Sequence, residues 1–215
     1  LARARTLENL AQESQGCTLC TLCEERTQVV FGVGNPDARL MFIGEGPGRD
    51  EDLQGEPFVG AAGRLLNKII AAMGLRREDV YIANTVKCRP PRNRNPEPGE
   101  LAACRPYLLE QVKLVAPELI VILGRVAMQA ILDTDAPLGR MRGRLHDWDG
   151  IPVVCTYHPA YLLRTPADRG KTWHDLQAVM ERLRLPPPRR PCHFYRHPPA
   201  EPGHPRAHRL PARVP

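Results

Sequence analysis

No run of apolar residues in this 215-residue chain is long enough to cross a membrane, which excludes a transmembrane helix. The N-terminal residues show no signal-peptide pattern, so a soluble, cytoplasmic protein is expected. Without an export signal, the seven cysteines are not expected to form structural disulfides, and clustered thiols point instead to a metal. The dinucleotide fingerprint is missing too: the glycine-rich stretch Gly44-Glu45-Gly46-Pro47-Gly48 fails the G-x-G-x-x-G spacing, and Pro47 interrupts it. Acids are scarce in residues 186–215, where six arginines face only Glu201 among ten prolines and four histidines. That is the composition of a disordered tail. It holds most of the formal net charge of +6, so the total charge alone does not mark a nucleic-acid binder. The tail reads as a solvated extension whose arginines can add salt-dependent attraction to phosphates.

What is present is organised around residues 44–63. The apolar run Leu40-Met41-Phe42-Ile43 precedes the glycine-rich loop, and Leu65-Leu66-Asn67-Lys68-Ile69-Ile70 follows with helical spacing. Strand, loop and helix in that order place the loop at a strand's carboxyl end, where open α/β sheets bind ligands. Phe58, a lone aromatic in the segment Pro57-Phe58-Val59-Gly60, either caps the core or stacks on something flat.

Near the N-terminus, residues 3–16 read as a short helix, followed by Cys17, Cys20 and Cys23 in a C-x2-C-x2-C run. Joined with the distant Cys88 and Cys104, Cys17 and Cys20 make a four-thiolate site that suits zinc or an iron–sulfur cluster. Spacing does not separate the two. Cys155 falls in a strand and reads as a free buried thiol.

Further strands are read near 79–84, 118–123 and 151–156, besides the first at 39–44. Asn84 and His158 each stand where a strand gives way, and an amide at such a rim offers both a donor and an acceptor to the edge of a base. Arg89, Arg92 and Arg94, among prolines, form a stiff basic loop that either contacts phosphate or wraps the thiol site. Arg140, Arg142 and Arg144 are placed in a second loop. Leu162 and Leu163, beside Arg164, are expected to be exposed, as apolar wedges into a base stack are. The whole reads as an α/β protein, a three-layer α/β/α domain with a central, mainly parallel four-stranded sheet. Glu45, Phe58, Asn84 and His158 converge on one rim of it.

These residues resemble a known family. Gly44-Glu45-Gly46-Pro47-Gly48, Pro57-Phe58-Val59-Gly60, Asn84 with Lys87-Cys88-Arg89-Pro90-Pro91, and His158-Pro159-Ala160 are similar, in this order, to the family 4 (iron–sulfur) uracil-DNA glycosylases. The likeness covers residues 7–185 and implies a glycosylase domain over 1–185, with the tail from 186 outside it. It implies a structural [4Fe-4S] cluster on Cys17, Cys20, Cys88 and Cys104, with Cys23 a bystander. It also implies that Phe58 stacks on a flipped uracil, Asn84 reads its edge, and His158 donates towards its O2. The backbone near Gly46 and Pro47 would line the pocket, and Leu162, Leu163 and Arg164 would fill the gap left in the duplex. The implied partner is uracil-containing DNA, single- or double-stranded, met by a monomer.

The implied reaction is hydrolysis of the N-glycosidic bond, which leaves free uracil and an abasic site. Better-known uracil glycosylases carry a water-activating aspartate where this chain has Gly46, so Glu45 is expected to orient the water. Two alternatives stand beside turnover. A related branch traps uracil-DNA covalently through a second histidine after the His-Pro region, but this chain has none before His174. A non-catalytic iron–sulfur DNA-binding module would leave Glu45, Phe58, Asn84 and His158 without a shared purpose.

Overall fold

The computed structural model describes residues 6–186. Four parallel strands form the middle of the sheet: β2 (Leu40–Gly44), β3 (Tyr81–Asn84), β4 (Leu119–Leu123) and β6 (Ile151–Thr156). Their near-continuous apolar runs follow from burial on both faces. Two short antiparallel strands, β1 (Val33–Gly34) and β5 (Leu145–Trp148), close the edges, in the order β1-β3-β2-β4-β6-β5. The sheet is therefore six-stranded where four strands were expected. β1 has two residues and so no periodicity to read. β5 had a signal: Asp149 and Gly150, both with positive φ, make the Asp-Gly turn that joins two hairpin strands.

Alternating side chains divide the core. Phe42, Ile82, Val121 and Val154 point to one face and pack with helices α4 (Ala61–Ala72) and α9 (Arg169–Arg182). Met41, Ile43, Ile120 and Ile122 point to the other and meet α5 (Pro98–Val115) and α6 (Arg125–Leu132). This is the expected three-layer arrangement. Helix α5 runs through Pro106, whose ring lies on the exposed side. A third, smaller core of Leu10, Leu22, Val29, Phe31 and Tyr107 surrounds Cys88 and Cys104. It holds the N-terminal helix α1 (Leu7–Gln15), capped by the Thr6 hydroxyl, and the short α2 (Leu22–Glu25). Among the described residues no helix is long and apolar enough to cross a membrane. The Pro/Arg-rich tail, from 187 on, lies outside the described residues.

The basic stretch before β5 is structural at its centre. It includes the single-turn helix α7 (Leu138–Met141), and Arg142 then turns inward. Its guanidinium makes a fork with the fully buried Asp175 carboxylate at 3.1 and 2.8 Å, and Asp175 also accepts the Thr156 hydroxyl at 2.8 Å. Thr156 ends β6, so this pair ties α9 to the strand that leads to His158. Removing one partner of a buried pair strands the other charge. Arg142→Met is expected to lower the unfolding free energy by about 3–5 kcal/mol, read by chemical denaturation; a loss below about 1 kcal/mol, the level of a surface pair, would show that the fork carries no such load.

Candidate active site

The carboxyl ends of β2, β3 and β6 open onto one cavity of about 460 Å³, lined by Glu45, Phe58, Asn84 and His158 among others. Parallel pairing puts Gly44 beside Asn84 in register, so the glycine loop and the amide arrive together. Gly44 is required there: a Cβ would lie 2.5 Å from Asn84 Oδ1 and 2.6 Å from the Phe58 ring. Asn84 is buried, and its Oδ1 has no hydrogen-bond partner. A buried acceptor left unpaired costs about 1–3 kcal/mol. An N–H donor would satisfy it.

Phe58 is held in a strained backbone state, φ 55°, which non-glycine residues seldom adopt. The segment is pinned by Glu51, on the short helix α3 (Arg49–Gln54). Glu51 Oε1 accepts the N–H groups of Val59 and Gly60, both at 2.9 Å, and Oε2 accepts that of Gly48 at 3.1 Å. From the other side, Arg77 donates to the Pro57 carbonyl at 2.6 Å. Glu51 also lines the cavity. Sequence reading missed it, although its place three residues after Gly48 is the capping-box offset. The Phe58 ring lies 5.5 Å from the His158 ring, centre to centre, tilted by 32°.

His158 caps the helix α8 (Pro159–Arg164). Its Nδ1 accepts the Ala160 N–H at 3.1 Å. An accepting Nδ1 leaves the proton of the neutral ring on Nε2, which is then a donor. Burial, helped by the positive charge of Arg164, pushes the imidazole pKa down to about 4. Burial raises that of the Glu45 carboxyl, against the pull of Arg125. A Cβ on Gly46 would meet Val86 Cγ2 at 2.8 Å, and Val86 is fully buried. A side chain at position 46 would have to displace Val86, and the carboxylate next to it in the chain is that of Glu45.

Cys17, Cys20, Cys23, Cys88 and Cys104 line a second hollow. Arg26 donates to Cys88 Sγ at 3.1 Å, and the Lys87 N–H donates to Cys104 Sγ at 3.3 Å. Burial pushes the Cys88 thiol up to about 11, with Arg26 pulling the other way, so deprotonated sulfur here requires a strong positive charge beside it. Among the described residues no group of three or more His, Cys, Asp or Glu side chains is gathered tightly enough to hold one metal ion. The thiols surround a hollow instead.

Residues 31–178 match the family model of the uracil DNA glycosylase superfamily. The chain belongs to that superfamily. It is 44% identical over 184 residues to the type-4 uracil-DNA glycosylase of Archaeoglobus fulgidus, covering 82% of this chain and 92% of that relative. To the type-4 enzyme of Thermotoga maritima it is 48% identical over 164 residues, covering 75% and 85%. The type-5 uracil-DNA glycosylase of Thermus thermophilus is 35% identical over only 119 residues, 48% of this chain and 53% of that relative. The chain is thus a member of the type-4 family within the superfamily.

On this glycosylase fold the residues after His158 differ from the expected loop. They form helix α8, and successive helical residues face about 100° apart. Leu162 is consequently fully buried, packed with α4 in the core, and is not the exposed wedge expected of it. Leu163 is exposed, and so is Arg164, which lines the cavity.

The depressed His158 pKa has a measurable consequence. By NMR titration its ring should protonate near pH 4, staying neutral through physiological pH. In the unfolded chain the ring binds its proton near 6.5. Between those values the unfolded state binds more protons, so this residue's contribution to stability falls as pH drops through the window. A midpoint at the ordinary histidine value would contradict the buried, neutral donor.

Proposed function

We propose that the chain excises uracil from DNA, leaving an abasic site. The observation that carries this reading is the set of groups meeting at one cavity: an unpaired acceptor on Asn84, the Phe58 ring, and the neutral His158 ring with its proton on Nε2. Uracil supplies the complement, with an N3–H for Asn84 Oδ1, a flat face for Phe58 and O2 for His158. The names of the type-4 relatives support it.

The chemistry follows from charge. Breaking the N-glycosidic bond leaves positive charge on the sugar and negative charge on the departing uracil. A neutral donor already fixed in a dry site stabilises that anion without reorganisation. The base leaves the stack first, at a cost of a few kcal/mol, and stacking on an aromatic ring returns about 1–3 kcal/mol. Phe58 supplies that ring, and the Gly46 and Pro47 backbone walls the pocket. Glu45, next to Gly46 in the cavity wall, orients the attacking water. Arg164, which lines the cavity, and the exposed Leu163 beside it face the DNA, and the enzyme acts as a monomer. The trapping alternative needs a second histidine at the cavity, and His158 is the one histidine among the described residues lining it.

The residues around the thiol hollow fit a [4Fe-4S] cluster. Such a cluster takes four thiolates, each at its own iron, which suits thiols arranged around a volume better than thiols drawn to a point. Cys17, Cys20, Cys88 and Cys104 would hold it, with Cys23 a bystander. Arg26 and the Lys87 N–H supply donors to two of the sulfurs. When bound, the cluster supplies cross-links between the N-terminal segment, the β3 exit and α5.

Single-turnover excision from a labelled uracil oligonucleotide tests the reading. The native protein should release uracil, and His158→Ala should be slower by roughly a hundredfold to a thousandfold. Tight binding without product, or a stable adduct, would move the protein to the binding or trapping class. Glu45→Gln should slow excision while leaving uracil-DNA affinity nearly intact; full single-turnover rate in that variant would remove Glu45 from the water's path. For the cofactor, about four iron and four sulfide per chain are expected, both lost in Cys88→Ser and kept in His158→Ala.

A further inference from the structure

Arg94, its side chain 35% exposed, lines the base cavity, yet its guanidinium is engaged by a carboxylate of the protein. It grips Glu100 through two short contacts, Nη1 to Oε2 at 2.8 Å and Nη2 to Oε1 at 2.6 Å. A further bond from Nη1 reaches the Asn95 carbonyl at 3.0 Å. Glu100 is 3% exposed and also accepts the Glu97 N–H at 2.7 Å and the Thr21 hydroxyl at 3.3 Å. It stands in the first turn of α5, one turn before Cys104, and Thr21 lies between Cys20 and Cys23. A fork of this geometry on a buried carboxylate is a fixed joint.

The segment it fixes is strained. Arg92 and Asn93, immediately before Arg94, both have left-handed backbones, φ 54° and 56°. Such states cost about 1–3 kcal/mol each and persist only where the surroundings impose them. Asn93 also lines the cavity, and Arg89 Nε holds its side-chain oxygen at 2.7 Å. Two joints therefore keep this wall in place, one local and one anchored in the thiol-bearing helix.

We propose that Arg94 and Glu100 are a positioning pair that sets the outer wall of the base cavity from the thiol-bearing part of the molecule. In this arrangement Arg94 works through Glu100, and its charge is spent there instead of on a DNA phosphate. The inference rests on the uracil-DNA reading of the cavity.

The two roles open to Arg94 predict opposite results for Glu100→Gln. If Arg94 were a phosphate contact partly neutralised by Glu100, removing that carboxylate would free the guanidinium, tighten DNA binding and steepen its salt dependence. As a positioning pair, Glu100→Gln should raise the half-saturating concentration for a uracil oligonucleotide roughly tenfold, with the salt slope unchanged and iron content retained. Arg94→Gln, at the more exposed partner, should do the same, and the double variant should be no worse than either single one. Unchanged or tighter binding by Glu100→Gln overturns the proposal, and so does loss of iron from it. A salt slope shallower by about one in Arg94→Gln, or single effects that multiply in the double variant, also overturns it. Native excision is the control: if the native protein leaves uracil in place, the reading of the cavity fails, whereas native excision with insensitive variants sinks only the pair.

Discussion

Parallel pairing is the constraint on which the rest depends. Four parallel strands oblige each connection to leave from the same, carboxyl end of the sheet, and that end is where the chemistry collects. Gly44 and Asn84 are partners in register, and Thr156 is paired with Leu123 just before His158. No long-range design is needed to bring the glycine loop, the amide and the imidazole together. The sheet does it once its register is set, and the register is set by apolar alternation that sends Phe42 to one layer and Met41 to the other.

Within that frame the cavity is held against its own tendencies. Phe58 is kept at positive φ by one carboxylate, Glu51, which satisfies three backbone N–H groups. Asn84 keeps an acceptor without a partner, and His158 is denied its charge by burial. Each feature is unfavourable for folding alone. Together they describe a site whose polar groups are completed by a ligand, which is how local rules come to be broken at functional positions.

What the sequence made legible follows from the same division. The four central strands and the residues of the rim were readable because buried parallel strands are apolar runs and the loops after them are punctuated by glycine, asparagine and the His-Pro pair. The edge strands were not, since two residues at Val33–Gly34 carry no pattern and β5 announced itself only through Asp149-Gly150. Leu162 misled because an apolar residue after a strand reads alike whether it faces solvent or a helix. Only the helical turn begun by Pro159 separates it from Leu163. Glu51 and Glu100 were harder to read for another reason: apart from the capping-box offset of Glu51, a carboxylate that binds backbone or a nearby arginine looks in sequence like any surface acid.

The third core shows why the thiols stand where they do. The first 31 residues contribute few apolar side chains to it, chiefly Leu10, Leu22, Val29 and Phe31, and α1 has only nine residues. A helix that short gains little by itself and depends on tertiary contacts. The thiols at 17 to 23 face those of the β3 exit and α5 across a hollow, so this segment is attached at the root of the loop that carries Asn93 and Arg94. A movement at that root cannot be absorbed by the loop, because Arg92 and Asn93 already sit in left-handed states and Glu100 holds Arg94 from beneath. The attachment of the N-terminal segment and the shape of the cavity wall therefore meet at Glu100, which accepts from Thr21 on one side and from Arg94 on the other.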